Sequence, residues 1–252
     1  MIQKVGLIFC IVLLGAYCAE AQYSPFAIIA DQDGFSNVRL GKNRTVVDRV
    51  HSNQVFALRG PVDDDGWQEW SWIDYPDYSL RRSGFEKFIH KTKEGMMHGS
   101  RIKLLVDLPQ WARRHDPARG LLICSDPSSD REIEIVYGEF LVAAHLYTRN
   151  AAGAIEKIDK QEPWGIDGYV YSNMNEIKSI TLRDGSESYR FPAQSIVNLL
   201  MPNTDLSTFG LAVGTDDHLF LYMSNGDGAG AYDVVWTIHQ WKCSNQFLYR
   251  NF

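Results

Sequence analysis

The sequence predicts a mainly β protein, built as an N-terminal small barrel plus a second β-rich domain with little helix. Three observations carry this. Apolar residues recur at period two in short runs, as in Arg131-Glu132-Ile133-Glu134-Ile135-Val136-Tyr137, the pattern of strands with one buried face. Turn formers such as Asp33-Gly34, Gly41-Lys42-Asn43 and Asp184-Gly185 separate those runs. No long stretch of the first half keeps a helical repeat. With 252 residues, 45% hydrophobic and 12% aromatic, the chain has enough apolar material for real cores, and its length suits two small domains better than one.

Residues 1–21 read as an export signal. Lys4 supplies the positive start, Val5 to Ala16 is almost wholly apolar, and Ala19-Glu20-Ala21 places small residues where a signal peptidase cuts. The apolar run, about 12 residues, is short of the roughly 20 that a helix needs to cross a bilayer. The expected mature chain therefore starts at Gln22, is secreted or periplasmic, and keeps no stable membrane span. Cys18 raises lipidation, but the preceding Tyr17 is bulky where lipoprotein processing wants Gly or Ala. The net charge of -6, with Lys and Arg scattered, lacks the basic stripe that a phosphate backbone requires, so nucleic acid is not an expected partner. Cys124 and Cys243 remain after cleavage; in an oxidising compartment they either close one disulfide or sit as two small buried hydrophobes.

The first half runs from Phe26 to about Leu105. Phe26-Ala27-Ile28-Ile29 leads into Asp31-Gln32-Asp33-Gly34, a tight turn by self-capping and positive φ. Val38, Leu40, Val46, Val47, Val50, Val55, Phe56 and Leu58 follow at strand-like spacing. Asp63-Asp64-Asp65-Gly66 reads as a hairpin turn rather than a calcium loop, because the spaced ligands and closing Glu of such a loop are missing. Trp67, Trp70, Trp72, Tyr75 and Tyr78 come next, the densest aromatic cluster of the chain. Alternation puts Trp70 and Trp72 on one face and Trp67 on the other. The expected barrel folds alone, with Val38, Val47 and Ile102 in its core.

Residues 106–131 carry Pro109, Pro117 and Pro127 and are expected to be a linker, although Leu121 to Cys124 inside it has a buried character. Residues 132–252 are expected to be the second β-rich domain. Ile133 and Ile135 face inward, while Glu132 and Glu134 belong to the solvated face of an edge strand. Further strands are expected in Phe140 to Tyr147, Glu176 to Leu182, His218 to Met223 and Tyr232 to Ile238. Pro192 to Leu200 reads as a short helix stopped by Pro202. Asn225 to Tyr232 is glycine-rich, but strands flank it on both sides, which favours a wide hairpin over a phosphate cradle.

The segment Asp31-Gln32-Asp33-Gly34-Phe35-Ser36-Asn37-Val38-Arg39 resembles the opening of bacterial SH3 (SH3b) domains, Asp-x-Asp-Gly-Phe/Tyr-x-Asn-Val-Arg. A valine-rich strand at Val46 to Val50, Gly66-Trp67, and the close Gly95-Met96-Met97-His98-Gly99-Ser100-Arg101-Ile102 continue the resemblance over 25–105. The departure is an insertion at about 71–93. The resemblance implies structural roles for Asp31, Asp33, Gly34, Asn37, Arg39, Ser100 and Arg101: Arg39 reaching back to the acidic turn, and Ser100-Arg101-Ile102 forming a 3₁₀ turn before the last strand. It also implies an extended peptide or peptidoglycan-type ligand across an aromatic groove, with Trp67, Trp70, Trp72, Tyr75 and Tyr78 as its candidate residues. The second half, with Trp164-Gly165-Ile166-Asp167-Gly168 and Asn225 to Trp236, is similar to an uncharacterised secreted β domain of Bacteroidetes.

Catalytic patterns are weak. Cys124 stands before Ser125-Asp126-Pro127, without the following helix whose dipole would lower a thiol pKa. The histidines lack zinc-ligand spacing, and no Ser sits in a Gly-x-Ser-x-Gly elbow. No metal or cofactor is implied. The expected function is non-catalytic binding in the cell envelope, with an envelope hydrolase carrying a cryptic C-terminal site as the alternative.

Overall fold

A computed structural model describes residues 24–61, 69–80, 84–88, 92–225 and 228–250. The segment expected to be an export signal, the expected turn Asp63 to Gly66 with Trp67, and Gly226-Asp227 of the glycine-rich loop lie outside the described residues. The chain is mainly β, and among the described residues no helix reaches seven residues. Among the described residues, no helix is long and apolar enough to cross a membrane.

Eight strands come first: β1 (Phe26–Ile29), β2 (Phe35–Leu40), β3 (Thr45–His51), β4 (Phe56–Pro61), β5 (Trp70–Pro76), β6 (Glu86–Phe88), β7 (Thr92–His98) and β8 (Ile102–Leu104). All but β6 form one curled half-barrel sheet in the order β3-β2-β7-β5-β4-β1-β8. Its concave side holds Ala27, Ile29, Val38, Val50, Phe56, Ile73, Tyr75 and Met97. Gly95 faces Val38 so closely that an added Cβ would lie 2.2 Å from a Val38 methyl, so the crossing of β7 over β2 tolerates only hydrogen there. Val47 is not core: β3 is an edge strand, and Val46 and Val47 are exposed while only Val50 of that strand is buried. The expected 3₁₀ turn is present at Gly99–Arg101, directly before β8.

The remaining strands are β9 (Ala112–Asp116), β10 (Leu121–Ser125), β11 (Arg131–Glu139), β12 (Tyr147–Arg149), β13 (Ile155–Ile158), β14 (Asn175–Asp184), β15 (Glu187–Arg190), β16 (Phe209–Val213), β17 (His218–Asn225), β18 (Tyr232–His239) and β19 (Lys242–Tyr249). One five-stranded sheet runs β15-β14-β11-β10-β9, another β16-β17-β18-β19-β6, and β12 pairs with β13. Residues 106–131 are therefore no linker, because β9 and β10 are full members of a sheet. β11 lies at its centre rather than its edge. Ile133 and Ile135 are buried as expected, while Glu134 pairs with Arg183 at 2.8 Å and Glu132 accepts from the Ser125 hydroxyl at 2.9 Å.

Phe140 to Tyr147 forms a 3₁₀ turn at Val142–Ala144 instead of a strand. The helix expected from Pro192 shrinks to a 3₁₀ turn at Ala193–Ser195. The Ser195 carbonyl, which a longer helix would use internally, is taken by the Trp236 indole at 2.9 Å and the Gln246 amide at 2.7 Å.

The β16–β19 sheet is covered on both faces. Leu221, Met223, Val234, Trp236, Ile238 and Leu248 point toward the β9–β15 sheet. Their alternates Phe220, Tyr222, Val235, Phe247 and Tyr249 meet Phe26, Ile28, Val55, Ala57 and Leu105 of the half-barrel. This two-sided burial explains the continuous apolar run Val234-Val235-Trp236 in β18, and β1, buried on both faces within the half-barrel, reads as the apolar run Phe26 to Ile29. β6, in the segment expected to be an insertion, completes the arrangement: it leaves the half-barrel and pairs in parallel with β19, Phe88 opposite Phe247. Cys124 and Cys243 are unpaired buried thiols in the layer between the two five-stranded sheets. Burial pushes the Cys124 thiol up to about 12, which keeps it protonated and inert.

Asp233 is a buried carboxylate on β18 that accepts from the Ser224 hydroxyl at 2.5 Å. Burial raises its pKa to about 6, so the folded state prefers it neutral. That preference contributes fully below the unfolded-state value of about 4 and is lost as pH rises through about 6. Asp233→Asn is therefore expected to raise stability at pH 8 by about 3 kcal/mol, since each unit of pKa shift corresponds to roughly 1.4 kcal/mol, and to change it little at pH 4. Denaturant melts at both pH values check this; equal effects at the two would contradict it.

Candidate functional site

The aromatic cluster divides between the two faces of β5. Trp70 and Trp72, two residues apart, are half-buried on the convex side and pack on Met96 of β7. Tyr75 belongs to the opposite face, where it is buried and donates to Asp48 at 3.3 Å. Tyr78 is locked as well, its hydroxyl donating to the Val55 carbonyl and accepting from the Val55 amide, both at 2.9 Å. The structure brings Trp70 and Trp72 together and places Tyr75 and Tyr78 among the supports of the sheet. Trp67 lies outside the described residues.

Strand pairing sets Trp70 opposite His98 and Trp72 opposite Met96. The His98 ring meets Trp70 edge to face at 5.4 Å, the Arg44 guanidinium lies 5.6 Å from the Trp70 ring, and Arg59 lies 5.6 Å from that of Trp72. Cations over indole faces are held by the ring quadrupole.

Beside Trp70 the surface sinks into a cleft of about 420 Å³ lined by Asp31, Asn37, Arg39, Trp70, His98 and Arg101, among others. The segments Asp31 to Arg39 and His98 to Arg101, distant in sequence, meet here. Asp31 accepts from the Arg101 guanidinium at 2.7 Å and from the Asp33 amide at 3.2 Å, and Gly34, at φ 78°, supplies the positive-φ position of that turn. Arg101, not Arg39, serves the acidic turn. Arg39 instead donates to the Arg44 carbonyl at 2.7 Å, because a bulge between Val38 and Arg39 shifts it out of line. The Asn37 side-chain oxygen is buried here and has no hydrogen-bond partner, an uncommon and costly condition for an amide.

Sequence reasoning missed a polar relay at the same place. The Ser100 hydroxyl lies 2.8 Å from His98 Nδ1, and His98 Nε2 lies 2.7 Å from Glu69 Oε2. The Ser100 amide also points at Nδ1, at 3.2 Å; an amide only donates, so Nδ1 is the acceptor and Nε2 carries the proton toward Glu69. This relay has the order of a nucleophile, base and orienting acid. The spacing His98-Gly99-Ser100 was its available signal, but Glu69 reaches it only through strand pairing.

Comparison with known proteins returns no match: no family model, no curated protein and no solved structure aligns with the chain.

Proposed function

We propose that this chain is an exported, non-catalytic binding protein of the cell envelope, in which an SH3b-type barrel packs on a second β-rich unit and binds an extended peptide of the peptidoglycan-stem kind. The observation that carries the reading is the buried, partnerless Asn37 carbonyl oxygen in a cleft bordered by Trp70 and two arginines. A small rotation of the Asn37 side chain into the cleft would give this shielded oxygen the N–H donor that an extended backbone offers, an aromatic wall supplies contact area at small entropy cost, and the guanidinium N–H groups of Arg39 and Arg101 that Arg44 and Asp31 do not take suit a carboxylate. The resemblance of Asp31 to Arg39 and of Gly95 to Ile102 to SH3b segments supports the same reading, since both segments border the cleft.

Retention on purified cell-wall sacculi tests it. Asn37→Ala and Trp70→Ala are each expected to weaken retention about tenfold, the effect of one buried hydrogen bond or one ring contact. The melting temperature of Trp70→Ala should stay within a few degrees, because its ring is only partly buried, at the edge of the packing on Met96. Wild-type retention by both variants would overturn the reading.

A hydrolase is the second reading, supported by the Ser100-His98-Glu69 relay. Against it, the two nearest backbone donors are already committed: the Gly99 amide to the Glu69 carbonyl at 2.6 Å and the Ser100 amide to His98. An oxyanion would find neither free. Release of soluble fragments from sacculi by wild type but not by Ser100→Ala would favour the hydrolase.

A further inference from the structure

A second cleft, of about 630 Å³, opens at the far end of the β16–β19 sheet, within the size range of small-ligand sites. Three hairpin tips frame it. β16 and β17 join through Thr215–His218, with Asp216 and Asp217 at φ 51° and 58°; β18 and β19 join through Gln240-Trp241, at φ 48° and 60°. The third tip, between β10 and β11, contributes Asp126 and Ser128. His218 and His239 are strand partners whose rings stack at 4.2 Å, which holds the first two tips side by side. Trp111, nearly fully buried, lines the interior.

Gln240-Trp241 is an unfavourable choice for its turn. Two consecutive positive-φ residues call for Asn-Gly or Asp-Gly, and a bulky residue in that region is an outlier. Such strain gathers at ligand sites, where the side chain has a use that outweighs its conformational cost. The Trp241 ring forms an amphipathic wall with the Arg131 guanidinium, 4.2 Å from its centre, and Asp184 holds Arg131 at 3.1 Å.

The polar groups divide into spent and unspent. The Gln110 amide is committed to Leu105, Leu108 and Tyr222, and Asp126 to Ser128 and Ser129. His218 Nδ1 faces the carbonyls of Thr215 and Asp216, which leaves its Nε2. Gln240 and Asp217 make no side-chain hydrogen bond among the described residues. Asp126 and Asp217 outnumber Arg131, whose charge Asp184 already balances, so an anionic ligand would meet net repulsion.

We propose that this cleft binds a neutral carbohydrate. The C–H faces of a pyranose suit the electron-rich faces of indole rings, and hydroxyls, which both donate and accept, match the open carboxylate of Asp217, the amide of Gln240 and the imidazole of His218. This site is separate from the peptide cleft, so either can fail without the other.

Isothermal titration of the mature chain with cellotriose, chitotriose and mannotriose tests the proposal, with decaproline and inorganic phosphate as comparison ligands. At least one trisaccharide is expected to bind saturably. Gln240→Gly and Trp241→Gly should each weaken it tenfold or more, and Asn37→Ala should leave it unchanged. Glycine relieves the left-handed strain, so Gln240→Gly should melt no lower than wild type, which separates lost binding from lost folding. Binding by no trisaccharide, full binding by both glycine variants, or binding of decaproline or phosphate in place of the trisaccharides that is lost in both glycine variants would overturn the assignment.

Discussion

A chain cut after Leu108 is expected to stay unfolded, even though its sequence carries a complete barrel pattern. In the whole protein Phe26, Ile28, Val55, Ala57, Phe88 and Leu105 are buried against Phe220, Tyr222, Val235, Phe247 and Tyr249, with the rings of Phe26 and Phe247 at 5.6 Å. Full burial of one large apolar side chain is worth about 1.5–3 kcal/mol. Exposing this face therefore removes on the order of 10 kcal/mol, comparable with the 5–15 kcal/mol total of a typical protein. Cutting also strips β6 of its partner β19. Circular dichroism and amide dispersion of the isolated 24–108 segment would show this; a cooperative melt would mean that the half-barrel stands alone.

The second large effect is expected at Trp236, which is fully buried between the two five-stranded sheets. Trp236→Ala should cost about 3–5 kcal/mol from lost contacts and the cavity left behind. It also removes one of the two donors that the Ser195 carbonyl accepts. At roughly 2–4 °C per kcal/mol for a chain of this size, the melting temperature should fall by roughly 10 °C or more. Urea unfolding measures the change directly, and a loss under 1 kcal/mol would show that the core refills the space. Trp236→Phe should recover part of the stability, because it restores ring volume without the N–H.

Local sequence determined many of the strands and their turns. Arg131 to Tyr137 alternates because one face of β11 is wet and the other dry, and Asp33-Gly34 turns because glycine takes positive φ freely. The 3₁₀ turn before β8 was legible through the resemblance of Ser100-Arg101-Ile102 to the close of SH3b sequences, and it lies at Gly99–Arg101. Errors arose where a distant partner outweighed local preference. Val47 carries a core-forming side chain but sits on an edge strand, and Pro192 to Leu200 loses its helix because Trp236 and Gln246 claim the Ser195 carbonyl. Trp70 and Tyr75 belong to one aromatic cluster in sequence, yet strand parity sends them to opposite faces. Only the tertiary structure decided that residues 106–131 contain sheet strands, that β6 pairs with β19 of the other half, and that Asn37, His98 and Arg101 meet at one cleft, with Glu69 bonded to His98. Those relations depend on strand order and register between segments far apart in the chain, and strand order is set by which faces can be buried together, a property no single segment carries.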